Sequence, residues 1–176
     1  MANTASATLL AFAYGSNMLL SRIKGRCPSA AALGVAELRG YELRWHKRSQ
    51  DGSGKCDVIA VDEESAVVFG VLYRIAVDEK PALDEAEGLG NGYEEQSVTV
   101  MCNGKPLAAS AYCATAVDVS LSPYTWYKAL VVAGAVENAL PTSYVKGLES
   151  TEAKDDCDRD RNARNMRIIS GSRGTE

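Results

Sequence analysis

Up to about residue 115 the chain is a succession of short β-type runs with almost no helix between them, and this feature limits the fold most. Leu9 to Tyr14, Leu33 to Leu38, Tyr41 to Trp45, Val58 to Val61, Val67 to Ile75, Val98 to Met101 and Leu107 to Ala114 are apolar or alternating, and most are separated by glycine or Asn/Asp turns. Asn103-Gly104 between two such runs is a strong hairpin signal, so 98–101 and 107–114 should pair antiparallel. Strands without regular helical alternation argue an α+β fold with a closed or strongly curved sheet.

Helices come late. Ser122-Pro123 opens a stretch from Tyr124 to about Leu140 that is apolar on nearly every side, as in a helix packed deep against a sheet. Pro141 stops it and starts a short helix through Leu148. An earlier short helix is expected over Met18 to Ile23, ending near Gly25. From Ser150 the chain turns polar, so 150–176 reads as a mobile tail or loosely docked segment, 1–8 as a flexible N-terminus, and 9–149 as the single domain.

A chain of 176 residues with 46% hydrophobic content fills one core. A net charge of −4 offers no large positive field, which argues against nucleic acid as a partner. No segment approaches the ~20 apolar residues that span a bilayer, and the N-terminus lacks a secretory signal pattern. The five cysteines include no C-x-x-C pair; they read as reduced thiols in a cytoplasmic protein, mostly core filler. Pattern alone does not separate apolar surface available to a homodimer from core.

Two constellations carry chemistry. Tyr14-Gly15-Ser16-Asn17 is a strand-to-helix turn on glycine, which points backbone N–H groups outward with a helix's positive end behind them. Such a turn binds a carboxylate or a developing oxyanion; it is also what an ordinary turn with Asn17 as N-cap looks like. The second is Leu83 to Tyr93. Asp78 can cap a short helix with Pro81 in its first turn, and Gly88 ends it. Leu83 and Glu87, four apart, share a face, leaving Asp84 and Glu85 toward solvent. Glu87 then sits half-buried at the helix's negative end, where ionisation is disfavoured, as suits a general acid or base. An exposed glutamate at a fraying helix end fits the same letters.

Other candidates are weaker. The single histidine, His46, lies in the cluster Arg44, Lys47, Arg48, which reads as a solvated strand edge or a contact for an anionic substrate tail. No nucleophile signature surrounds Cys27 or Cys56. Gly88-Leu89-Gly90-Asn91-Gly92 follows a helix and lacks the nucleotide-binding spacing; it reads as a flexible loop that could close over a site.

Tyr14-Gly15-Ser16-Asn17, then Glu87-Gly88 with Gly92-Tyr93, then Pro123-Tyr124, Tyr127-Lys128, Gly134-Ala135 and Leu140-Pro141 occur in order. This set resembles the γ-glutamylcyclotransferase-like (AIG2-like) family over roughly Leu9 to Glu149. The resemblance implies a compact mixed β-barrel with flanking helices and a cavity at one end. It also implies that the Tyr14–Asn17 turn supplies backbone donors, that Glu87 is the acid/base, and that Tyr93, Tyr112 and Tyr127 surround the substrate. The activity implied is release of 5-oxoproline and an amine from a γ-glutamyl compound, a small-molecule substrate, with no metal, nucleotide or flavin. Arg48 to Asp57 and the tail match nothing in the family pattern, so the leaving amine stays open. A non-catalytic binding module on the same fold, or a cyclotransferase for an unusual γ-glutamyl amine, are the competing expectations.

Overall fold

Strand β1 (Thr8–Ala13) is apolar along most of its length and ends in three buried residues. In the computed structural model, which describes residues 7–172, it joins a barrel closed in the order β1-β5-β2-β6-β7. The partners are β2 (Ala31–Arg39), β5 (Val67–Ala76), β6 (Tyr93–Cys102) and β7 (Lys105–Ala114). Strand β5 reads as a near-continuous apolar run because it is paired on both edges, with β1 and β2, and buries Val68, Val71, Leu72, Tyr73 and Ile75.

The hairpin between β6 and β7 turns at Asn103 (φ 50°) and Gly104 (φ 73°), the left-handed pair such a two-residue loop requires. The barrel closes where β1 lies parallel to β7, Ala11 facing Ser110. The expected α+β fold with a closed sheet is what forms.

Strands β3 (Tyr41–Arg48) and β4 (Gly54–Ala60) leave the barrel as a separate antiparallel hairpin. Two corrections concern the cluster on β3. The pairing slips between Arg44 and Lys47, and this bulge re-aims the strand: Lys47 is 6% exposed rather than on a solvated edge. His46 is not a surface residue either; its Nε2 lies 2.8 Å from Oδ2 of buried Asp57.

The helices among the described residues are α1 (Leu20–Lys24), α2 (Lys80–Glu87), α3 (Thr125–Glu137), α4 (Thr142–Glu149) and α5 (Arg159–Ser172). Helix α3 starts after Tyr124 rather than Ser122, whose carbonyl instead accepts the Gly54 N–H. Gly134 lets α3 press on the turn after β1: a Cβ there would lie 2.5 Å from Leu19 N and 2.7 Å from Met18 Cβ. Helix α2 begins after Glu79, without the Asp78 cap, and ends at Gly88 in the left-handed conformation.

The segment from 150 is not a tail as far as it is described. Asp156 is buried and accepts from Trp126 Nε1 at 2.8 Å and from Arg161 at 2.6 and 2.5 Å. Arg22 Nη1 donates to Asn165 Oδ1 at 3.2 Å, and Ile168 and Ile169 pack on the core. The anchors are polar, so composition hid them. At the other end, Thr8 already pairs with Ala76, and residues 1–6 of the expected flexible stretch lie outside the described residues. Among the described residues no helix is long and apolar enough to cross a membrane.

Candidate active site

The turn that follows β1 is a single 3-10 turn, Ser16–Met18, before α1. Its own bonds run from Met18 N to Gly15 O and Leu19 N to Ser16 O, leaving the Ser16 and Asn17 N–H groups unused within it. Tyr73 Oη and Asn138 Nδ2 both donate to the Met18 carbonyl, at 2.8 and 2.9 Å, and Arg22 Nε donates to Ser16 Oγ at 2.9 Å. The turn is therefore fixed before any ligand arrives. One expectation fails here: the positive end of α1 is not free, because Leu20 N donates to Glu137 Oε2 at 2.8 Å.

A recess with about 350 Å³ of empty space, part of it open to solvent, lies beside this turn, and all eight residues singled out from sequence line it: Tyr14, Gly15, Ser16, Asn17, Glu87, Tyr93, Tyr112 and Tyr127. Phe12, Ala13 and Cys56 complete the wall. Gly15 is tightly packed: a Cβ would stand 3.1 Å from Tyr127 Oη and 3.2 Å from Cys56 Cβ, and both would have to give way by a few tenths of an ångström.

Glu87 comes from the last turn of α2, four residues after buried Leu83, as the helical spacing requires. Its surroundings differ from a bare helix end. Asn17 Nδ2 donates to Oε1 at 2.6 Å and Arg26 Nη1 to the same oxygen at 2.5 Å, while Arg26 also donates to Asn17 Oδ1 at 2.8 Å. Both side chains of the ion pair are about four-fifths buried, at 19% and 18% exposure. Oε1 is thus occupied, and Oε2 has no hydrogen-bond partner among the described residues. A carboxylate on a cavity wall, clamped by one oxygen with the other unpartnered, is positioned to take and return a proton.

Three of the four tyrosines are committed donors. Tyr14 Oη donates to the Tyr112 carbonyl, Tyr93 Oη to the Cys56 carbonyl at 2.5 Å, and Tyr112 Oη to Asp84 Oδ1 at 2.6 Å. Tyr127 Oη accepts the Cys56 N–H at 3.2 Å. Burial first, then nearby negative groups, holds the phenols of Tyr14, Tyr93 and Tyr127 well above the usual tyrosine range. They stay protonated and show the cavity rings and lone pairs. Asp84 was expected toward solvent; instead it takes Tyr112 on one side and Lys80 on the other.

Cys56 is no nucleophile in this state: burial, against a hydrogen bond with Tyr127, pushes its thiol up to about 12. Among the described residues no group of three or more His, Cys, Asp or Glu side chains is arranged to hold a metal. Arg26 is the site residue sequence reasoning missed; it follows a five-residue helix and no pattern marks it as inward. The loop after α2 is tied by Gly90 N to Tyr93 O at 2.9 Å and Thr115 N to Gly92 O at 3.0 Å.

Known proteins align with these elements. A model of the AIG2-like family matches residues 67–148. The γ-glutamylcyclotransferases of Bos taurus and Homo sapiens are each 35% identical over 154 residues, spanning 84% of this chain and 81% of theirs. A solved γ-glutamyl cyclotransferase structure superposes with a TM-score of 0.81 at 30% identity, covering 94% of this chain and 99% of that one. With identity above 30% over more than four-fifths of its length, the chain belongs to the γ-glutamylcyclotransferase family.

Proposed function

We propose that the protein is a cofactor-independent γ-glutamylcyclotransferase that converts a γ-glutamyl amino acid or amine to 5-oxoproline and the free amine. The observation that carries the reading is Glu87, a wall of the recess clamped through Oε1 by Asn17 and Arg26 with Oε2 left without a hydrogen-bond partner among the described residues. The relatives named above, whose activity is of this kind, support it.

In the reaction the substrate's α-amino nitrogen attacks its own γ-carbonyl carbon. Glu87 first takes a proton from the α-ammonium, which frees the attacking lone pair. The new C–N bond closes a five-membered ring, and the carbonyl oxygen becomes an oxyanion. The Ser16 and Asn17 N–H groups serve an anion of the substrate, whether that oxyanion or the α-carboxylate. As the original C–N bond breaks, Glu87 returns the proton to the departing nitrogen, and the ring nitrogen gives up its extra proton through the same carboxylate to the released amine, leaving the neutral lactam. Phe12 and the tyrosine rings hold the flexible chain in its reactive curl, an orientation effect that a preformed recess supplies without covalent chemistry. We place the enzyme in the cytoplasm, a reading supported by cysteines of which none is paired among the described residues.

The test is 5-oxoproline release from γ-glutamylalanine by wild type and Glu87→Gln side by side. Release by wild type and none by the variant is expected. Equal release from both removes Glu87 from its role. Thermal stabilisation by γ-glutamylalanine without turnover would instead identify a binding module.

A further inference from the structure

Two other lysines that turn inward are matched with carboxylates. Lys55 Nζ lies 2.8 Å from Asp51 Oδ2, and Lys80 Nζ lies 3.0 Å from Glu95 Oε2; both side chains are 13% exposed. Lys47 is buried more deeply as a residue, and its Nζ has neither a hydrogen bond nor an ion pair among the described residues. Its neighbours are partnered: Arg44 with Glu42, His46 with Asp57, Arg48 with Asp118. A buried ammonium without an anion is unfavourable, so its retention asks for a partner that arrives from outside.

The surroundings of Lys47 say where. Its Nζ stands 4.5 Å from the centroid of the Tyr93 ring, a wall of the recess. Its stem runs against Gly92, where a Cβ would lie 3.0 Å from Cε and 3.2 Å from Nζ. Burial lowers the pKa of the ammonium, and the charge of Glu87 is the largest influence that raises it again, ahead of Asp51. The sealed side-chain atoms lacking a partner are Ser110 Oγ and Tyr144 Oη, and Lys47 Nζ is not among them, so it keeps access to open space. Lys47 thus offers an unspent positive charge on the side of the recess that holds Tyr93 and Glu87.

We propose that Lys47 receives the carboxylate of the leaving amino acid, so that the site prefers γ-glutamyl amino acids to γ-glutamyl amines without a carboxylate. The inference rests on the cyclotransferase reading. In that reaction the departing nitrogen collects its proton from Glu87, which places the leaving group beside Glu87. In an amino acid the carboxylate is two bonds from that nitrogen. The charge at Lys47 meets it there, and Tyr93 supplies a flat surface between the two. An alkylamine leaving group has nothing to offer Lys47 and leaves its charge uncompensated.

The experiment compares kcat/KM for γ-glutamylalanine and γ-glutamylethylamide, similar leaving groups that differ in the carboxylate, in wild type, Lys47→Met and Lys47→Arg. Wild type should prefer γ-glutamylalanine by about tenfold or more, the scale of one charge-assisted hydrogen bond. Lys47→Met should erase that preference through a higher KM for γ-glutamylalanine, and Lys47→Arg should keep most of it. The wild-type ratio stands as a test even if Lys47→Met does not fold. No wild-type preference, or equal losses on both substrates in Lys47→Met, overturns the inference while leaving the cyclotransferase reading intact. Wild type inactive on both substrates overturns that reading and the inference with it.

Discussion

Asn17 and Glu87 are 70 residues apart in sequence, yet Asn17 Nδ2 lies 2.6 Å from Glu87 Oε1. The contact joins the turn after β1 to the last turn of α2, so donor groups and proton carrier share one rigid unit. Arg26 closes the triangle by touching both. Arg26→Met should leave the Glu87 carboxyl without that clamp and free to swing. Because misplacement on the scale of 1 Å can cost about 10²-fold, kcat/KM for γ-glutamylalanine should fall by that order. Steady-state kinetics check this, with Glu87→Gln as the floor.

Tyr112 gives its phenolic proton to Asp84, which leaves its oxygen lone pairs for the recess. Burial first and the Asp84 bond second keep that phenol above the usual range. Asp84→Asn can donate to the phenol instead, reversing the bond. We expect kcat/KM to fall about tenfold in Asp84→Asn and in Tyr112→Phe, and the double variant to fall no further than either. A double-mutant cycle reads this; additive losses would mean the two residues act separately.

Gly134 has no room for a side chain against Leu19 N and Met18 Cβ. Gly134→Ala should cost about 1–3 kcal/mol of stability, the usual penalty for overpacking. Chemical denaturation measures it. Since the displaced atoms belong to the turn lining the recess, turnover should drop in the same variant.

Four cysteines are buried and Cys157 is exposed. Burial raises the thiols of Cys27, Cys56, Cys102 and Cys113, Cys56 to about 12 and Cys113 to about 11. In native protein a thiol reagent should modify Cys157 rapidly and the other four only on unfolding. Release of 5-oxoproline should survive modification of Cys157. Mass spectrometry after timed alkylation checks both.

Asp156 is held well below the usual carboxylate range, by Arg161 first and then by the Asp158 N–H and the Trp126 indole, despite its burial. In the unfolded chain it titrates near the ordinary aspartate value of about 3.9. Its folded pKa is the lower one, so its contribution to stability is fully present above the unfolded value and is lost as pH falls from there through the folded pKa. Acid titration followed by tryptophan fluorescence should report the release of Trp126 from Asp156 at low pH. Asp156→Asn should flatten this dependence.

How much of this was legible in sequence depends on what kind of force does the work. Strands β1, β5, β6 and β7 could be read because each is a short apolar or alternating run closed by a turn, and Asn103-Gly104 announces its own backbone angles. Glu87 could be placed because Leu83 shares its helical face. Lys47 could not: the alternation rule fails at a bulge, and the slip between Arg44 and Lys47 appears only in the pairing of β3 with β4. Arg26 and Asp156 were hidden for another reason. Charged residues are read as surface by default, and only the three-dimensional partner, Glu87 for one and Trp126 with Arg161 for the other, turns them inward. The same partner explains why a polar segment after residue 150 docks through hydrogen bonds where hydrophobic periodicity is weak.

The seam between β1 and β7 has a consequence for biosynthesis. Strand β1 must wait for β5, and then for β7, before the barrel can close around it. The nascent chain carries the Tyr14–Asn17 segment early, but Tyr112 and Tyr127 emerge some hundred residues later and Asp156 later still. A polypeptide stalled before α3 therefore holds Glu87 without a recess to place it in. Activity should arrive late in translation and in one step, and a premature stop codon in the final third of the message should cost the whole function.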